Sequence, residues 1–503
     1  MKFDLPDGLK FPQIVSRLSD NFTVRRERGS TEKYTFYDTA DWRLYNHSLV
    51  LFGNGKRLCL RRLSVNEIIE SSDISAQPVF VGDFPDGALK ERLSDILEMR
   101  ALLELFEMEL RSKSIRILNI DEKTVTRVAY EEFHVDRETT TQLRLIPVRG
   151  YTKDYNNVRN YLDEIGLHKS KERDLFIWAN KASGKRPGDY SSKLAIRLKP
   201  TMHTDDAMRV ILRFLLGVMK KNEEGIKRDI DTEFLHDSRV AIRRTRSALS
   251  QIKNVFQREA TQRFGADFSY LGKLSNRLRD LDVYLLNKKE HLGKIPSSLH
   301  RDMEPLFRYL QRERAKELRK VIAGLKSKRY ERILMEWESF LNMGADESDR
   351  ADNAALPIFA TAKRRIYARY QSVVKSGKQI TDDSEDQMLH SLRIECKKLR
   401  YLMEFFASLF PQRKIDFLIK QLKKMQDNLG RFQDLSVQED YLGSVMDHLP
   451  LTSQRVRKTS LAIGCLIGVL HREKQEESKA FSRFFRQFSS TKNRELFREL
   501  FAN

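Results

Sequence analysis

The stretch "HDSRVAIRRTR" at residues 236–246 returns as "HSLRIECKKLR" at residues 390–400, and this pair decides how the chain is read. His236, Arg239, Val240, Arg243, Arg244 and Arg246 correspond to His390, Arg393, Ile394, Lys397, Lys398 and Arg400, each displaced by 154 residues. "NRLRDLDV" (276–283) and "GRFQDLSV" (430–437) follow at the same offset, matching Arg277 to Arg431, Asp280 to Asp434 and Val283 to Val437. Two separate motifs sharing one displacement predict an internal duplication of a helical unit, with a period far longer than solenoid repeats use.

On a helix, positions 0, +3, +7 and +10 fall within an arc of about 80°. They are His236, Arg239, Arg243 and Arg246 in the first copy, and His390, Arg393, Lys397 and Arg400 in the second. Phe234, Ile242, Leu249 and Ile252 fall on the opposite side, as do Leu399, Met403 and Phe406. Each copy therefore predicts one face for packing and one line of cations suited to an extended anion. A charged stripe is often only a solvated face. Such a face normally interleaves Glu with Lys four residues apart. Residues 236–263 instead hold seven Lys or Arg against two acids, and "RYLQRERAKELRKVIAGLKSKRYER" (308–332) holds ten against three. Uncompensated like charge repels itself, which points to a neutralising ligand. The histidines stand at expected helix starts, where capping or packing competes with donation to phosphate oxygens. Neither has a second His or Cys at ligand spacing, so no metal site is expected. Asp280 and Asp434 are read as orienting the arginines beside them rather than as catalytic.

Composition sets the frame. The 503 residues, 40% apolar, predict two or three domains with packed cores. Ninety-two Lys plus Arg against 71 Asp plus Glu leave a net charge of +21, which attracts polyanions of any kind. Cys59, Cys396 and Cys465 are scattered, as in a reducing cytoplasm, and form no zinc or disulfide pattern. "MKFDLPDGLK" has no apolar leader and "LAIGCLIGVL" (461–470) is too short to span a bilayer. A cytoplasmic protein with no membrane partner is expected.

The chain is written in two styles. Residues 1–190 hold short β-type runs, "YTFYDTA", "RLCLRRL", "QPVFVGDF", "SIRILNI", "TVTRVAYEEFHV" and "TQLRLIPV", with helices after Ala88 and Tyr155. This is α+β texture, mainly antiparallel. "ASGKRPGDYSS" (182–192) reads as a linker, and residues 205–503 as all helix. "MGADESDRADNAALP" (343–357) divides that part into halves of about 205–343 and 357–503.

"HDSRVAIRRTRSAL", "NRLRDLDV", "HSLRIECKKLRYLMEFF" and "GRFQDLSV" together resemble the signature of the CHAD domain, a helical domain named for its histidines. The resemblance covers 205–503. It implies two helical bundles related by a pseudo-two-fold axis, a basic surface or pore between them, and binding of inorganic polyphosphate. By position it implies binding through His236, Arg239, Arg243, Arg246, Arg277, His390, Arg393, Lys397, Arg400 and Arg431, with Arg312, Lys316, Arg319 and Lys320 of the basic helix as an addition. The first half is similar to a CYTH domain, the triphosphate-tunnel fold, at "YTFYDTADWRLYNHSLVLF" and "YLDEIGLHKSKERDLFIWA". It lacks that family's opening ExExK strand. "EMELR" (107–111) has the spacing but is expected on a helix, and "TQLRLIPV" has no carboxylate. Metal-dependent phosphoryl hydrolysis needs such carboxylates. A degenerate, non-catalytic module is therefore expected, whose Arg61 and Arg62 remain able to hold anions. No cofactor is expected, and the oligomeric state is not legible.

Two rivals stand beside polyphosphate binding. A single-stranded nucleic-acid binder would interleave aromatics with its cations. "RVAIRRTRSALSQIK" has none, and no zinc finger, RNP or helix-turn-helix motif is present. The other rival is a metal-dependent triphosphatase in the first 190 residues.

Overall fold

The computed structural model describes residues 1–6, 8–63, 67–170, 174–343, 351–381, 384–449 and 453–502. Parts of "SKERD" and of the acidic break at 343–357 lie outside these. The chain forms two compact units, Met1–Ser191 and Ser192–Asn503.

The first unit is one antiparallel sheet of nine strands. They are β1 (Lys2–Asp4), β2 (Thr23–Arg26), β3 (Ser30–Asp38), β4 (Leu49–Gly53), β5 (Arg57–Arg62), β6 (Ile68–Asp73), β7 (Leu103–Leu118), β8 (Thr124–Val135) and β9 (Glu138–Pro147). Their order is β1-β9-β8-β7-β3-β4-β5-β6, and β2 also pairs with β7. The helices are α1 (Phe11–Ser19), α2 (Arg43–Asn46), α3 (Ala88–Leu97), α4 (Thr152–Glu164) and α5 (Leu175–Ala182). Ile14, Leu18, Val158 and Leu162 of α1 and α4 pack on Ile115, Val128 and Leu143 of the sheet.

Two expectations fail here. "EMELR" is not helical: it lies within β7, where apolar and polar residues alternate and Phe106 and Met108 are buried. "QPVFVGDF" is not a strand. Pro78 and Gly82 interrupt it, Val79 and Phe80 stay exposed, and only a 3-10 turn forms at Val81–Asp83.

The second unit is helical, as its 3.6-residue periodicity predicts. In order come α6 (Thr204–Lys227), α7 (Thr232–Gln251), α8 (Arg258–Leu274), α9 (Asn276–Leu286), α10 (Lys288–Gly293), α11 (Glu304–Leu325) and α12 (Lys328–Asn342). They are followed by α13 (Ile358–Gly377), α14 (Asp386–Phe405), α15 (Gln412–Val445), α16 (Ser453–Phe488) and α17 (Thr491–Phe501). Helix starts repeat the offset of the motifs. α6 and α13 begin 154 residues apart, as do α7 and α14, and α8 and α15. Where α15 runs unbroken for 34 residues, its counterpart is interrupted at Ser275 into α8 and α9. One buried cluster joins Leu281, Tyr284, Phe307 and Leu310 to Leu435, Leu442, Ile463 and Leu466, so both parts of the unit share a core. Among the described residues no helix is long and apolar enough to cross a membrane.

Candidate functional site

Helix α7 starts because Asp231 accepts hydrogen bonds from the backbone N–H groups of Glu233 (2.9 Å) and Phe234 (3.2 Å). Its apolar face buries Phe234, Ile242 and Leu249; α14 likewise buries Leu392, Leu399 and Met403. His236 and His390 are each the fifth residue of their helix, so the expected helix start lies one turn too late and neither histidine is a cap. The ring Nδ1 of His390 instead meets the side-chain oxygen of Gln433.

α7 packs against α14, and this sets the two stripes beside one another. The charge of Arg243 is felt by Arg239 on its own helix and by Arg393 and Lys397 on the other. Burial, then the field of Arg243, pushes the Arg239 guanidinium down to about 10. Arg393 is lowered by burial and again by Arg243. Lys397 falls to about 7, through burial and then through Arg393 and Arg243. The Nε atoms of Arg243, Arg393 and Arg400 are shut from water without a hydrogen-bond partner. Among the described residues no ion pair forms on Arg243 or Lys397.

The remaining charges are partly compensated. Arg239 donates to the Gly272 carbonyl (3.2 Å), the Ser275 hydroxyl (2.8 Å) and Asn276 Oδ1 (2.9 Å). Asp434 pairs with Arg393 at 3.4 Å, and the field of Asp280 falls on Arg239 before Arg277. The motif carboxylates thus serve stripe arginines, not only the arginines beside them in sequence. Arg431 pairs with Glu477 (3.1 Å) and Glu473 (3.6 Å). Arg277 lies over the Tyr441 ring at 4.6 Å and donates to its hydroxyl (3.2 Å). Arg400 shares Glu404 (3.5 Å) with Arg244, whose Nη2 donates to the same carboxylate at 2.7 Å.

Arg393, Lys397, Arg400 and Arg431 line a cleft of 460 Å³ between α14, α15 and the α9–α10 end. Lys294 joins them but is held by Glu290 (2.9 Å) and Glu473 (2.8 Å). Four carboxylates, Glu290, Asp427, Asp434 and Glu473, also reach the lining, so its cationic part is the α14 side. The cleft holds a residue that sequence reasoning missed. Gln426 is 6% exposed, and neither end of its amide has a hydrogen-bond partner. Such a group is costly unless something meets it. Nothing in "KKMQDN" distinguishes it beforehand. His236, Arg239, Arg243, Arg246 and Arg277 do not line this cleft. Arg246 is exposed and His236 half-buried.

The basic helix α11 is set apart. Arg312, Lys316, Arg319 and Lys320 are exposed outside the cleft, and Lys316 and Lys320 pair with Glu313 (2.5 Å) and Glu317 (2.6 Å) on their own helix. Its Arg314 holds structure instead, bonded to Asp229 (2.6 and 2.8 Å) and to the buried Asp282 (2.7 Å).

The first unit encloses a cavity of 600 Å³ with Tyr34, Phe36, Phe52 and Met108 on its wall and Lys2, Arg61 and Arg144 among its charges. Met108 faces this space, so its neighbours Glu107 and Glu109 lie on the opposite face of the sheet. There they pair with Lys33 (2.9 Å) and Arg111 (2.6 Å). In the cavity lining, Asp174 is tied to Arg61 (3.2 Å), and beside it the buried Glu131 is tied to Arg144 (2.6 Å). Carboxylates engaged by arginine on one side of the sheet, and turned away on the other, do not fit a divalent metal and its phosphate.

Residues 210–443, within the helical unit, match the CHAD domain family. The crystal structure of the CHAD domain from the plant Ricinus communis is similar over 59% of this chain and 97% of its own, with 24% identity and a TM-score of 0.50. PptA from Streptomyces chartreusis aligns over 57% of this chain and 99% of its own, at 14% identity and a TM-score of 0.43. Two uncharacterized proteins from strains of Mycobacterium tuberculosis are each 25% identical over 210 residues, 41% of this chain. The chain spans only 39% of the length of these curated relatives.

Proposed function

We propose that the helical unit binds inorganic polyphosphate along the paired stripes of α7 and α14, and that it arose by duplication of one helical set. The observation that carries this reading is the crowding of Arg243 against Arg393 and Lys397, three cations from both copies against one carboxylate, Asp434, which pairs with Arg393 at 3.4 Å. A chain of phosphates neutralises such a seam. The guanidinium Nε and Nη atoms donate charge-assisted hydrogen bonds, and Lys397 acts as a point charge. The unpartnered Gln426 amide and the buried Nε atoms supply further donors at one end of the seam. No bond is broken in this reading. The first unit is a CYTH-like module without catalysis, because its carboxylates are paired or turned away from the cavity. The protein acts in the cytoplasm, where polyphosphate granules are its natural location.

The test is retention of the full chain on immobilised long-chain polyphosphate. The natural sequence is expected to bind and to elute steeply with salt, as counterion release requires. Arg243→Gln with Arg393→Gln and Lys397→Gln is expected to lose most of it. Retention unchanged by the triple variant, or insensitive to salt, overturns the reading. Preference for single-stranded RNA at equal charge would instead favour a nucleic-acid ligand. Phosphate release from triphosphate with Mg²⁺ would show that the first unit is an enzyme.

A further inference from the structure

A second cationic groove lies elsewhere in the helical unit. α13 and α17 bound a space of 530 Å³ lined by Tyr367, Tyr370, Lys375, Lys378, Arg494 and Arg498. Glu495 is the carboxylate in that lining. α17 falls outside the residues matched to the CHAD family, so the groove is built partly by sequence the family does not describe.

Tyr370 carries the argument. It is only 5% exposed, and its ring stacks on Phe497 with centroids 3.8 Å apart and planes at 10°. Its hydroxyl is nevertheless buried without a hydrogen-bond partner. Two other buried tyrosines of the helical unit are partnered. Tyr284 donates to the Gln438 carbonyl (2.7 Å) and Tyr330 to Glu223 (2.9 Å). A buried donor left open at the wall of a groove marks the place of an absent acceptor. The charges point the same way. Lys375 sits in the last turn of α13, where a cation offsets the carbonyl ends of the helix. Arg498 in the last turn of α17 and Lys378 at the C-cap of α13 are placed in the same way, which leaves Arg494 without that account. Among the described residues no ion pair forms on any of the four, although Arg494 donates to the Thr491 hydroxyl (3.2 Å).

We propose that this groove binds a nucleoside polyphosphate. The base lies against the half-buried ring of Tyr367, the phosphates lie among Lys375, Lys378, Arg494 and Arg498, and a ligand oxygen accepts from the Tyr370 hydroxyl. The groove is of a size that takes such a molecule. Three to four negative charges on a triphosphate match the four cations. An aromatic wall beside them separates this chemistry from that of a bare phosphate chain.

The experiment is titration calorimetry with ATP, inorganic triphosphate and adenosine on the full chain. It is performed in the background of the triple variant Arg243→Gln, Arg393→Gln and Lys397→Gln, which removes most of the stripes' contribution, so the site stands or falls separately from polyphosphate binding. ATP is expected to bind. Lys378→Gln with Arg494→Gln is expected to weaken it by about tenfold or more, as loss of two charge-assisted contacts implies. Tyr370→Phe keeps the stacked ring and is expected to weaken ATP about threefold to tenfold by loss of one donor. Tyr367→Ala should weaken ATP and leave triphosphate unchanged. Circular dichroism melts confirm that each variant is folded. No ATP binding at about 1 mM, the weak end of specific affinity, overturns the proposal. So does triphosphate binding as tightly as ATP with no effect of Tyr367→Ala, because the groove is then a plain anion patch.

Discussion

A lysine pushed to about 7 by burial and by the charges of Arg393 and Arg243 is half discharged at neutral pH. A phosphate chain beside Lys397 favours the charged form, so binding takes up a proton. Polyphosphate affinity is therefore expected to fall as pH rises from about 6 to about 8.5, by at most about tenfold per unit. Lys397→Arg, which stays charged throughout, should flatten that profile in titrations at constant ionic strength. The unbound protein responds in the opposite sense. An unfolded lysine holds its proton to near 10.5, whereas the folded Lys397 releases it near 7. Between those values the unfolded state binds more protons, so stability rises with pH, and the penalty is complete below about 7. Lys397→Met is then expected to melt higher than the natural chain at pH 6, by about 2–4 °C per kcal/mol relieved, while polyphosphate retention falls. Arg314 shows the contrary case of a cation that supports the fold. Asp282 is 1% exposed beside it, and Arg314→Met leaves that carboxylate buried and unpaired. A loss of about 3–5 kcal/mol in denaturant melts is expected.

At the level of the helix, glycine position separates close approach from mere tolerance. A Cβ on Gly225 of α6 would stand 2.1 Å from the Phe234 ring of α7, whereas one on Gly217 would meet nothing within 4 Å. Gly225→Ala should lower Tm by forcing the two helices apart, with partial recovery in Gly225→Ala/Phe234→Leu. Gly217→Ala should raise stability by about 0.5–1 kcal/mol. Either helix alone is legible in the sequence, but their contact is not, because one-dimensional periodicity gives a face and not its neighbour. The same limit explains what was and was not readable at the site. The stripes follow from spacing. That Asp434 meets Arg393 and not simply the arginine beside it, and that Gln426 is sealed without a partner, depend on how α14 and α15 cross. The α+β and all-helical textures were plain. "EMELR" misled because a helical reading of Glu107 and Glu109 ignored the two-residue alternation that continues through Leu118. In "QPVFVGDF" apolar content suggested a strand that Pro78 and Gly82 deny.

Across the whole chain, a charge of +21 makes ligand and salt act alike on stability. Either one screens cations that the fold holds together against their repulsion. Polyphosphate at about 100 times its Kd is expected to add about 2.7 kcal/mol, read as a rise in Tm that added salt progressively removes as it displaces the chain. The buried cluster that joins α9 and α11 to α15 and α16 has a further consequence. Residues 192–343 and 351–503, produced separately, each expose a large apolar surface, so each is expected to precipitate and to recover solubility when the two are made together. On the duplication proposed above, a single ancestral copy faced that same insolubility. Self-pairing would have covered it, and the present chain would then correspond to two such subunits joined covalently.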